Sequence, residues 1–109
     1  MTKRHNALEA LEHQRAAQRD QIYILRLFVS GASVKSQQAI QDIKMICEEH
    51  LPGHYELEVV DVYQQPRLAV AAHVVATPVL VRERPLPLRR FIGRFSNSAQ
   101  LLHRLGLRT

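Results

Sequence analysis

The chain has 109 residues, 46% of them hydrophobic, a net charge of +5 and a single cysteine. That length suits one domain burying roughly two-thirds of its unfolded surface, and the lone Cys47 excludes an intrachain disulfide and any CxxC redox pair. No apolar run approaches the ~20 residues that cross a bilayer, so a soluble, cytoplasmic protein is expected.

Residues 1–20 hold seven charged side chains, from Lys3 to Asp20, and no apolar core of a signal peptide. Good helix formers with a thin stripe through Leu8 and Leu11 predict a helical or flexible extension there, with the folded domain over residues 21–109. Residues 22–29 are β-branched and aromatic with apolar side chains on both faces, as in a central strand covered on both sides. After the break at Ser30 to Ser33, a helix is expected from Ser36, where Ala39, Ile40, Ile43, Ile46, Cys47 and Leu51 recur at helical spacing. Pro52 and Gly53 stop it.

A second strand is expected from Tyr55 to Val62, with Asp61 capping the turn after it. A short helix follows over residues 67–73, and a third strand over Val79 to Val81. Residues 82–88 read as a proline-punctuated connection to a fourth strand over 89–95. The last helix spans 97–104, capped by Ser96 and closed by Gly106.

The order is β-α-β-α-β-β-α. A leading βαβ unit is parallel and a tight β-β pair antiparallel, so the class is α/β with a mixed four-stranded sheet of the thioredoxin-like type. A proline at a strand mouth suits that architecture, and Thr77-Pro78 before Val79 is expected as a cis-proline step. Redox enzymes of this fold place cysteines at the start of the first helix, where the dipole favours a thiolate. Here that loop offers only Ser30, Ser33 and Ser36. Cys47, on the apolar helix face, reads as a buried structural thiol. His50 and His54 flank Pro52-Gly53 without a third ligand at metal-site spacing, so no catalytic residue, cofactor or metal is assigned.

Charge is unevenly spread: +1 over residues 1–20, −2 over 21–81 and +6 over 82–109. Arg82, Arg84, Arg89, Arg90 and Arg94 crowd one region. They read either as an anion-binding surface or as a solvated basic edge that discourages strand aggregation. Nucleic-acid binding is a further reading of this basic third, weakened by the absence of a base-stacking ladder among the arginines.

Taken together, Tyr23 to Gly31, Val59 to Val62, Gln65-Pro66, Ala76-Thr77-Pro78, and Arg89 to Gly93 with Ser96-Asn97 closely resemble the circadian clock protein KaiB family. The match runs over about residues 22–105 with the block spacing retained. The resemblance implies a non-enzymatic binding protein, homo-oligomeric as dimer or tetramer, whose partner is the ATPase KaiC and which displaces a sensor histidine kinase. It also implies two folds, a thioredoxin-like binding state and a ground state with a rearranged C-terminal half.

As a family member this chain looks divergent and non-cyanobacterial. Where cyanobacterial relatives have a glycine and, two residues on, an aspartate, it has Arg104 and Gly106. Arginine favours a continuous helix over glycine by about 1 kcal/mol, so these two residues are expected to favour the thioredoxin-like state. Basic family positions appear as Glu58 and His73, and the acidic tail as Leu107-Arg108-Thr109. With Arg89 and Arg90, Glu58 and His73 form the expected partner-binding set. The function expected is modulation of clock or stress signalling, and a thioredoxin-like enzyme without CxxC is the competing class.

Overall fold

A computed structural model describes residues 21–93, 95 and 98–106 of the chain. The extension over residues 1–20, the Ser96 cap, Arg94 and the tail over 107–109 lie outside the described residues. The elements are β1 (Tyr23–Val29), α1 (Val34–His50), β2 (Tyr55–Asp61), α2 (Pro66–Ala71), β3 (Val79–Arg84), β4 (Arg89–Ile92) and α3 (Ser98–Leu105). They form one sheet in the order β2-β1-β3-β4. β1 is parallel to β2 and antiparallel to β3, and β3 is antiparallel to β4. This is the thioredoxin-like arrangement expected from the element order.

Alternation along β1 sorts the core into two layers. Tyr23, Leu25, Leu27 and Val29 pack under α1 and α3 against Ile43, Ile46, Cys47, Phe91, Leu102 and Leu105. Phe28 points the other way, into a smaller cluster with Val60, Val79 and Val81 that Leu68 and Ala72 help to cover. The second face is thinner than a strand covered on both sides requires. Ile24 and Arg26 are only half-buried, and Arg26 is ion-paired to Glu58 (3.2 Å) and Glu83 (3.1 Å) across the neighbouring strands.

α1 begins at Val34, two residues before the expected start, because Ser33 caps it by accepting the Ser36 N–H. β4 ends at Ile92 rather than 95, and Phe95 still reaches the main core beyond the strand. α3 ends at Leu105, one residue past the expected end, and Gly106 follows it at φ +85.

The larger correction concerns Arg82. The segment 82–84, expected in the connection, belongs to β3, and Arg82 is 5% exposed rather than part of a solvated basic edge. A register shift follows Arg82, Ile24 pairing with Arg84, but Leu25 still pairs with Arg82 in regular register. Glu83 is the extra residue of that bulge, whereas Arg82, two residues after the core residue Leu80, is carried by plain strand alternation onto the side of Leu25 and Leu80. There its guanidinium donates to the Leu105 carbonyl (2.5 Å) at the end of α3 and to the Pro87 carbonyl (3.0 Å) in the β3–β4 connection.

Cys47 is buried, and desolvation, reinforced by the neighbouring Glu48 carboxylate, pushes its thiol up to about 12. Because the folded state holds the thiol proton more tightly than the unfolded chain, this contribution to stability is complete below pH 9 and is lost as pH rises from 9 toward 12. Urea unfolding at pH 8 and pH 10 is expected to show a decrease of about 1 kcal/mol attributable to this group, and Cys47→Ala is expected to diminish the decrease.

Candidate partner-binding surface

The loop between β1 and α1 is where thioredoxin-like enzymes carry their nucleophile, and here its hydroxyls bind one another. Ser33 Oγ donates to Ser36 Oγ at 2.8 Å, and Ser36 Oγ donates to the Ser30 carbonyl at 3.3 Å and accepts the Ser30 N–H at 3.1 Å. Ser30 Oγ pairs with Thr77 Oγ1, tying this loop to the Thr77–Pro78 peptide, which is cis. Asp61 fixes the loop from the far side. Its Oδ1 accepts the Tyr63 N–H (2.9 Å), the expected turn cap, and also the Gly31 N–H (3.1 Å), a tertiary contact that no local pattern foretells. Gly31 meets that geometry at φ +60, a conformation glycine adopts without a Cβ clash.

The expected binding residues divide into two groups. Arg89 and Arg90 are exposed on β4, one edge of the sheet. Arg90 Nη1 donates to the His73 carbonyl at 3.0 Å, so the C-terminal end of α2 and the edge strand meet. Glu58 stands on β2, the opposite edge, and is committed to Arg26, its register partner. The four therefore do not form a single patch. Phe91 and Phe95, which interleave the arginines in sequence, are both buried and offer no face for base stacking.

His73 holds φ 55, a left-handed conformation, immediately after α2. For a non-glycine residue this costs about 1–2 kcal/mol, against roughly 0.5–1 kcal/mol of extra unfolded-state entropy for glycine. His73→Gly is therefore expected to stabilise the fold by about 0.5 kcal/mol in urea unfolding. The Arg90 contact survives it, because the acceptor is backbone. A drop in stability would show that the imidazole contributes packing.

Arg104 lies over the Phe91 ring, 5.3 Å from its centroid. Gly106 donates to the His103 carbonyl (3.1 Å), and a Cβ there would come within 3.5 Å of Arg82 Nη1. The two positions singled out as fold-state determinants thus contact β4 and the buried guanidinium. At the other end of the core, Tyr55 O–H donates to Glu48, which pushes the phenol up to about 12. That bond joins the start of β2 to the last turn of α1.

A cleft of about 540 Å³ opens beside β4. Its apolar walls are Val34, Ala39, Pro78, Ile92 and Phe95, drawn from α1, the cis-proline step and the end of β4, and Lys35 stands on the α1 side. Among the described residues no group of three or more His, Cys, Asp or Glu side chains could hold a metal ion, and no helix is long and apolar enough to cross a membrane.

These features define a thioredoxin-like domain whose nucleophile loop contains only hydroxyls and whose sheet edge is basic. The same fold is found in chloroplastic thioredoxin z, with a TM-score of 0.64 at 21% identity over 87% of this chain and 86% of that one. It also occurs in the N-terminal domain of Synechococcus elongatus SasA, with a TM-score of 0.63 at 29% identity over 78% and 80% of the two chains. The KaiB domain family matches residues 26–107, and the chain belongs to the KaiB family. It is 45% identical to the circadian clock protein KaiB3 of Synechocystis over 77% of this chain and 80% of that protein. It is 41% identical to the circadian clock oscillator protein KaiB of Synechococcus elongatus over 78% and 83%.

Proposed function

We propose that this chain is a non-enzymatic, cytoplasmic regulator of the KaiB type that binds a KaiC-like ATPase and modulates clock or stress signalling. The observation that carries this reading is the exposed Arg89–Arg90 pair on an open edge strand, in a chain 45% identical to a named clock protein. Guanidinium groups on an edge strand recognise carboxylates through paired donors, and the strand backbone supplies further hydrogen bonds. Arg89 and Arg90 make the contact, with His73 supporting Arg90 and Glu58 contributing to partner choice from the other edge. The likeness to the SasA domain supports a shared docking site, at which this chain competes with a sensor histidine kinase for the ATPase. Self-association as a dimer or tetramer belongs to the free protein.

The test is sedimentation velocity with the KaiC-like ATPase of the source organism. A complex is expected with the native chain, and Arg89→Glu/Arg90→Glu is expected to weaken it at least about tenfold. Equal binding by native and reversed chains would remove these arginines from the interface, and no complex at all would overturn the reading.

A further inference from the structure

We propose that the open edge of β4 and the cleft beside it receive an extended acidic segment of a partner protein, laid antiparallel to β4 and anchored by one apolar side chain. The inference rests on the partner-binding reading above and specifies the chemistry of the segment recognised.

The backbone argument comes first. Among the described residues β4 is the last strand of the sheet, and the Gly93 N–H points inward, to the Pro78 carbonyl at 3.4 Å. In an antiparallel ladder the inward-bonding residues alternate, so Phe91 and Arg89 also face β3. The N–H and C=O groups of Arg90 and Ile92 then point away from the sheet, spaced to accept one more strand.

The cleft supplies the anchor site. It lies at the Gly93 end of β4, where a Cβ added to Gly93 would meet nothing within 4 Å among the described residues beyond its chain neighbours. Its size is within the ~300–1,000 Å³ typical of ligand clefts, and its apolar walls suit one branched or aromatic side chain.

Charge decides the composition of the rest. Arg89 and Lys35 make no ion pair among the described residues, and Arg90 gives one nitrogen to the His73 carbonyl while its other donors remain. The cleft's one acid, Asp42, accepts a hydrogen bond from Gln38 at 2.9 Å. A second copy's β4, Arg89-Arg90-Phe91-Ile92, brings no acid to face these arginines, which argues against self-pairing across this edge. Antiparallel register then fixes the spacing. With the anchor opposite Gly93, the residues three and four positions later stand opposite Arg90 and Arg89 and should be acidic.

The probe is a fluorescein-labelled peptide, acetyl-Ser-Leu-Thr-Val-Glu-Glu-Ser-amide, followed by anisotropy and by amide chemical shifts of the labelled full chain. Saturable binding is expected, with shifts concentrated at Arg90, Ile92, Gly93 and Lys35. The peptide with its order reversed, the peptide with serine for leucine, and the Arg89→Glu chain are each expected to bind at least about tenfold more weakly. No binding at millimolar peptide, equal binding of the reversed peptide, or shifts confined to β2 would overturn the proposal. Competition separates it from the reading beneath it. ATPase binding undisturbed by saturating peptide overturns this inference and leaves that reading standing, whereas peptide binding at β4 without any ATPase complex supports the inference and removes the reading.

Discussion

Arg82→Ala is expected to lower the unfolding free energy by about 2–4 kcal/mol: two hydrogen bonds from a charged donor are lost, at about 1.5–3 kcal/mol each, less the desolvation that burying the cation costs. The side chain links three segments that are remote along the chain: β3, the β3–β4 connection through the Pro87 carbonyl, and the end of α3 through the Leu105 carbonyl. A cation suits the second acceptor, which lies at a helix C-terminus where the dipole is negative. Burial opposes the charge and lowers the guanidinium's proton affinity, with nearby Arg89 adding to the effect and Tyr23 offsetting part of it. The two carbonyl contacts outweigh that penalty because removing the arginine leaves both acceptors orphaned in or near the core. Arg82→Met keeps much of the buried volume and neither bond, so it separates the two contributions. Urea unfolding should find it nearly as unstable as Arg82→Ala. Stability equal to the native chain would show that desolvation cancels the bonds.

The second large effect is expected at Phe28. Phe28→Ala should cost about 3–5 kcal/mol, the range for deleting a fully buried aromatic ring. Phe28 is the centre of the smaller cluster, where Val60, Val79 and Val81 surround it and α2 is the only helix of the described residues packed against it. α2 has just six residues, too few to be helical without tertiary contacts. Loss of the ring should therefore release α2 and, through the His73 carbonyl, the support of Arg90. Amide exchange over residues 66–74 should accelerate more than exchange in α1. Uniform acceleration over the whole chain would mean that the two core layers unfold as one.

Much of the architecture was legible because its signals are local. The apolar run of β1, the helical spacing from Ala39 to Leu51 and the Pro52-Gly53 stop each identify an element without reference to the rest of the chain. Arg82 reads as solvent-facing because arginine usually is, whereas strand alternation from the core residue Leu80 turns it inward. The stretch 82–84 reads as a connection because its three charged residues conceal strand alternation. The candidate site was legible residue by residue but not in its grouping. Arg89, Arg90 and His73 come together, while Glu58 stands at the opposite edge. The cleft has no sequence signature, since its walls come from α1, the Thr77–Pro78 step, Ile92, Gly93 and Phe95, which only the sheet order brings together.

In the proposed account, the thioredoxin-like sheet of this KaiB-family chain presents an arginine edge to a partner. The most direct test is amide-resolved NMR of the isotopically labelled full chain, free and with the KaiC-like ATPase. The account predicts cross-strand contacts between Leu27 and Leu80 and between Leu80 and Phe91 in the free protein, with selective loss of signal at 89–92 on adding the ATPase. A free protein in which β3 does not pair with β1, or an ATPase that leaves the β4 signals unchanged, would contradict it.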